Sequence, residues 1–111
     1  MTDKIVVLCT CANRDEAEKL GRLLVERRLA ACVNLVPGVK SIYHWQGVVE
    51  ESEEVMLVIK SSRELFGRLK EALSHVHSYE VPELIALPVL DGAESYLAWM
   101  DREMLHEGGR G

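Results

Sequence analysis

The sequence predicts an α+β domain with four strands and two intervening helices in the order βαββαβ, followed by a further helix. Three observations carry this. Short runs rich in Val, Ile and Leu alternate with segments whose apolar residues recur at helical spacing. Both inner helices open on a polar residue with a glutamate three positions later. Pro37-Gly38, Gln46-Gly47 and Asp91-Gly92 punctuate the joins. With 111 residues, 48% apolar and 28% charged, the chain is long enough for one core and too short for two ordinary ones.

The elements follow in order. Residues Lys4 to Ala12 (KIVVLCTCA) form the first strand, which meets a helix start at Asn13. Asn13 can accept from the first-turn amides and Glu16 can reach back, as in a capping box. The helix buries Ala17, Leu20, Leu23, Leu24 and Leu29, opposes them with Glu18, Arg22 and Glu26, and places Arg27-Arg28 at its negative end. Ala30 to Trp45 is β-like, bent or split at Pro37-Gly38. After the Gln46-Gly47 turn and an acidic stretch, Val55 to Lys60 is apolar on both faces, which suits a central strand.

Ser61 and Glu64 repeat the capping-box spacing and open a helix with the stripe Leu65, Phe66, Leu69, Leu73 and Val76, ending near His77. A non-helical linker, Tyr79 to Glu83, leads to the strand Leu84 to Val89, where Pro88 argues for an edge strand or a strand end. The last helix carries Ala93, Leu97, Met100 and Met104 on one side. The expected ordered core runs over about residues 4–105, with a flexible tail at 107–111. Connection rules turn this order into a ferredoxin-like antiparallel sheet with two helices on one face. The strands are apolar on both faces, so the uncovered face calls for association of chains.

Charge and length exclude several functions. Lys+Arg of 13 against Asp+Glu of 18 gives a net charge of −5. No cluster of four or more basic residues is present, which argues against nucleic-acid binding by counterion release. The apolar stretch Ile5 to Cys9 is far below the roughly 20 residues of a membrane helix. No signal-peptide pattern precedes the fold, and three cysteines, two of them separated by one residue, fit reduced thiols; the expected location is the cytoplasm.

Few residues carry chemistry. Cys9 and Cys11 stand two apart on a strand, so their thiols share one face and could present soft ligands to copper or zinc. The plainer reading, packing as small hydrophobes, is the weightier one on spacing alone and applies still more to Cys32. His75 and His77 flank Val76 at a helix end, where an imidazole can be a ligand or a simple cap. His44 and His106 read as solvated surface residues, and Glu50, Glu51, Glu53 and Glu54 as a charged strand entry without calcium-loop spacing. Lys60, with Ser61 and Ser62, could make an anion-friendly corner or simply an ion pair. Cys9 as nucleophile with His77 as base lacks a third orienting group, so the chain reads as a non-enzyme.

Four strings, LVERRLAACVNLVPGVKSIYHWQG, IKS, HSYEVPELIALPV and YLAWM, occur in this order between Ile5 and Met100. Together they closely resemble the CutA family of divalent-cation tolerance proteins. The resemblance implies a single-domain chain that forms a homotrimer of ferredoxin-like subunits, similar in architecture to the PII signalling proteins, with strands extending across subunits. It implies a role in tolerance of and response to divalent metal ions, with copper rather than zinc the metal. The family's ligands are a Cys at the end of the first strand, matched by Cys9, and adjacent His residues before Y-x-x-P-E. His77 matches the second of these; Val76 occupies the first, and His75 lies one residue further back. The alternative is a PII-like sensor that binds a small ligand in clefts between subunits, near Lys60, Tyr43, Trp45, Tyr79, Glu80 and Trp99.

Overall fold

The computed structural model describes residues 1–106. The expected flexible tail at 107–111 lies outside them. Strand β1 (Lys4–Cys11) is followed by helix α1 (Arg14–Glu26), then β2 (Cys32–Trp45) and β3 (Val48–Ser62). A single 3-10 turn (Arg63–Leu65) leads into α2 (Phe66–Ser74), then β4 (Ile85–Pro88) and α3 (Glu94–Glu103). The sheet order is β2-β3-β1-β4, and every neighbouring pair is antiparallel. The predicted α+β, ferredoxin-like βαββαβ arrangement with a C-terminal helix is thus the observed one. Among the described residues, no helix is long and apolar enough to cross a membrane.

Alternation along the strands sorts the side chains. Val7, Cys9 and Cys11 on β1 and Val55, Leu57 and Ile59 on β3 turn to the helices and are buried with Leu20 and Leu24 of α1 and Leu69 and Leu73 of α2. The residues between them, Val6, Leu8, Met56 and Val58, lie half-buried on the opposite face. On that face β4 adds Ile85 opposite Leu8 and Leu87 opposite Val6, both exposed. The second face is therefore as apolar as the sequence predicts, at the edge strand that Pro88 marks. Helix α3 closes the Lys4 end of the sheet: Asp101 pairs with the buried Lys4 ammonium at 2.9 Å, and the Leu105 N–H donates to the Arg28 carbonyl at 2.9 Å.

The first capping box forms as read. Asn13 Oδ1 accepts from the Glu16 N–H at 2.9 Å, and Glu16 Oε1 accepts from the Ala12 N–H at 3.2 Å. The second does not. Ser61 is the penultimate residue of β3, and its hydroxyl is drawn inward to donate to the Leu29 carbonyl at 2.6 Å. Ser62 stands at the helix entrance without a side-chain cap. Helix α2 also ends earlier than the stripe suggests, so Val76 is exposed rather than buried.

Strand β3 is longer than the run Val55 to Lys60, because the acidic stretch before it pairs with β2. Gln46 (φ 52°) and Gly47 (φ 82°) both take positive φ, the requirement of a two-residue type I′ hairpin turn. At Pro37-Gly38 the register shifts: Val36 faces Met56, Val39 faces Glu54, and two residues of β2 oppose Val55 alone. Gly38, at φ 73°, supplies the left-handed residue of this bulge. Beyond it the two strands pair only with each other, since β1 ends at Cys11 opposite Val55. This two-stranded arm carries Ile42, Tyr43, Trp45, Val48 and Val49, all exposed. The molecule measures 45 Å along its longest axis.

Candidate metal centre

Cys9 and Cys11 project from the end of β1 into the core, and the segment after α2 brings His77 over them. One ligand atom from each of the three residues lies within 4.8 Å of the other two. Both cysteines are fully buried, and only 1% of the His77 side chain is exposed. The candidate ligands Cys9 and His77 are therefore brought together, with Cys11 beside them. His75 and Val76 are exposed and stand outside the cluster, and Cys32 lies half-buried on the other face of the sheet.

The His77 imidazole is held by the backbone. Its Nε2 donates to the Thr10 carbonyl, between the two cysteines, at 2.8 Å, since a carbonyl can only accept. Nδ1 then accepts from the Tyr79 N–H at 3.0 Å. Glu16 Oε2 stands 4.0 Å from Nδ1. Ligation at Nδ1 exchanges the Tyr79 hydrogen bond for a metal bond and leaves the Nε2–H on the Thr10 carbonyl to fix the ring, whereas ligation at Nε2 would move the proton to Nδ1, where it faces the Tyr79 N–H, and would cost both bonds.

Two residues that sequence patterns left out of the site hold this segment in place. Glu16 uses its second carboxylate oxygen to accept from the Ser78 N–H at 2.7 Å, tying the start of α1 to the chain after α2. Burial opposes the charge on Glu16, but the hydrogen bonds from Ser78 and Ala12 outweigh it and hold the carboxyl below its ordinary range. Glu54, expected to be a solvated strand-entry residue, is buried and accepts from the Tyr79 hydroxyl at 2.8 Å. Burial and this bond push the Tyr79 phenol up. The only signal that could have pointed to Glu16 is its capping position, which leaves one oxygen free for a distant donor.

The Cys9 thiol is pushed well up by the neighbouring Cys11 sulfur and by burial, with Glu83 and Glu16 adding to the effect. A thiol so placed is protonated and shielded, the reverse of an activated nucleophile. In the metal-free, reduced protein, iodoacetamide at neutral pH is expected to leave Cys9 and Cys11 unmodified and to reach them only in denaturant, with Cys32 reacting first. Peptide mass mapping reads this directly, and rapid native alkylation of Cys9 would contradict it.

The remaining cleft candidates are dispersed within one chain. Tyr43 and Trp45 lie on the hairpin arm, Lys60 bonds to the Asn34 side chain, and Trp99 packs beside Tyr96 on α3 with ring centroids 5.5 Å apart. Tyr79 belongs to the cluster around His77, with ring centroids 4.9 Å apart.

Comparisons with known proteins bear on the fold and the family. The family model described as CutA1 divalent ion tolerance protein matches residues 5–103. A Thermus thermophilus protein, named divalent-cation tolerance protein CutA, is 47% identical over 95 residues, 86% of this chain and 92% of its own. The Arabidopsis thaliana protein named CutA, chloroplastic, is 45% identical over 86% of this chain, and the match spans 53% of that protein's length. The crystal structure of CutA1 from Oryza sativa superposes with a TM-score of 0.91 at 39% identity, covering 95% of each chain. The family model matched over residues 5–103, together with a relative 47% identical over 86% of the chain, places this chain in the CutA1 divalent ion tolerance family.

Proposed function

We propose that the chain serves divalent-metal tolerance by binding copper with Cys9 and His77, as a homotrimer in the cytoplasm and without catalysing a reaction. The observation that carries the reading is the convergence of thiol and imidazole donors within 4.8 Å. The chemistry of that donor set fits a soft metal, because thiolate and imidazole both suit copper. Carboxylates at Glu16 and Glu83, close enough to raise the Cys9 thiol, favour a cation at the same place. A non-catalytic role is supported by the protonated thiol and by an imidazole whose two nitrogens are engaged by the backbone. Association of chains is supported by the apolar second face of the sheet, by exposed Ile85 and Leu87 at its edge, and by the exposed hairpin arm.

Native mass spectrometry of the reduced protein, with slight excesses of copper and zinc, tests the reading. A trimer with one copper per chain, lost in Cys9→Ala and His77→Ala, is the expected result. A trimer that stays bare, or that binds equally well in both variants, would remove the Cys9/His77 site and favour the sensor with clefts between subunits.

A further inference from the structure

We propose that Cys11 is a metal ligand in its own right, so that the centre is a two-thiolate, one-imidazole site selective for monovalent copper. The inference rests on the copper reading of Cys9 and His77 and specifies its ligand set and oxidation state.

Residues two apart on a strand point to the same face, and β1 keeps this alternation to its end: Cys9 lies opposite Leu57 and Cys11 opposite Val55 in an unbroken register. Both sulfurs are thus fixed on the core face by the strand itself, without any loop to position them. His77 enters from the other side, with its ring tied to the carbonyl of the intervening Thr10. The three donors close a buried triangle within 4.8 Å, while the nearby Glu16 carboxylate, 4.0 Å from His77 Nδ1, is engaged by the Ala12 and Ser78 N–H groups. Zinc is four-coordinate and with a two-cysteine, one-histidine set takes its fourth ligand from water, which this buried position disfavours. Soft thiolates select Cu(I), and a three-donor, water-poor site is compatible with its low coordination number. Cu(I) enters as a cation and the two thiol protons leave to solvent; the metal keeps its oxidation state, so no electron acceptor or donor is needed.

The test is an anaerobic competition for Cu(I) against bicinchoninate, followed by its colour, on the reduced full chain and on Cys9→Ala, Cys11→Ala, His77→Ala and Cys32→Ala. Wild type and Cys32→Ala are expected to withdraw one Cu(I) per chain. Cys11→Ala is expected to lose affinity by more than about 100-fold, beyond the roughly 10- to 100-fold typical of losing a partner behind a ligand. If Cys11→Ala competes as wild type does while Cys9→Ala and His77→Ala fail, Cys11 is not a ligand and the copper reading stands without it. If wild type itself withdraws no Cu(I), the copper reading and the inference fall together. Because a core substitution can unfold the chain, copper-edge X-ray absorption on the loaded wild-type protein gives an independent count. Two sulfurs per copper are expected, and a single sulfur would overturn the proposal.

Discussion

Leu57→Ala is expected to remove about 2–5 kcal/mol of stability, the range for deleting most of a buried leucine side chain. Leu57 lies on β3, which pairs on one side with β1 and on the other with β2, facing Cys9 and Leu35 in register. Its side chain is fully buried and belongs to the same cluster as Leu20, Leu24 and Leu69. The central strand is held from both sides, so the vacated space cannot be filled by a small shift of one neighbour, and the cavity term persists. Against a total of about 5–15 kcal/mol for a typical domain, this is a large fraction. Leu57→Met, which nearly conserves volume, should cost under about 1.5 kcal/mol. Urea denaturation at one fixed protein concentration checks both, because association adds its own concentration-dependent stability. A loss below about 1 kcal/mol for Leu57→Ala would mean the core around β3 is not packed as described.

Glu16→Ala is expected to cost about 1–3 kcal/mol and to release the segment after α2 from the start of α1. The carboxylate accepts from Ala12 and Ser78, and its removal leaves both N–H groups without that partner. Both residues are exposed, so water recovers part of the loss. Glu16→Gln should fall between, since its single carbonyl can serve only one donor well. The same carboxyl makes stability depend on pH. Its folded pKa lies below the ordinary value of 4.5, so its contribution is fully present above that value and is lost as pH falls through the depressed folded one. Acid titration of stability should therefore show a component in the wild type that is missing in Glu16→Gln. Amide hydrogen exchange over residues 76–83 should accelerate in both variants. Unchanged protection there would show that other contacts hold the segment.

These two residues differ in how visible they are from sequence. Leu57 sits in an apolar strand whose place at the centre of the sheet follows from composition and connection rules, and the shared face of Cys9 and Cys11 follows from strand geometry alone. Glu16 is visible only as a helix cap. Its bond to Ser78, 62 residues away, and that of His77 to Thr10, 67 residues away, join a side chain to a distant backbone group and leave no periodic trace. The outer half of β3 escapes notice for another reason: Glu50 to Glu54 are polar at every position, so the alternation of hydrophobicity that marks a strand is missing although Glu54 is buried. Ser61 and Glu64 show that spacing can mislead, because the Leu29 carbonyl competes successfully for the hydroxyl.

The bulge at Pro37-Gly38 sets the phase of the hairpin arm. Before it, even-numbered residues of β2, such as Asn34 and Val36, share a face with Val58 and Met56; after it, the odd-numbered Val39, Tyr43 and Trp45 continue on that face, opposite Glu54, Glu50 and Val48. One additional residue therefore works as a half-turn written into the backbone. Without it the rings of Tyr43 and Trp45 would exchange sides with the side chains of Ile42 and His44, and every residue of the strand out to the turn would be presented to the opposite neighbour. The surface that the arm offers to another chain is thus decided by a count of residues as much as by their identity.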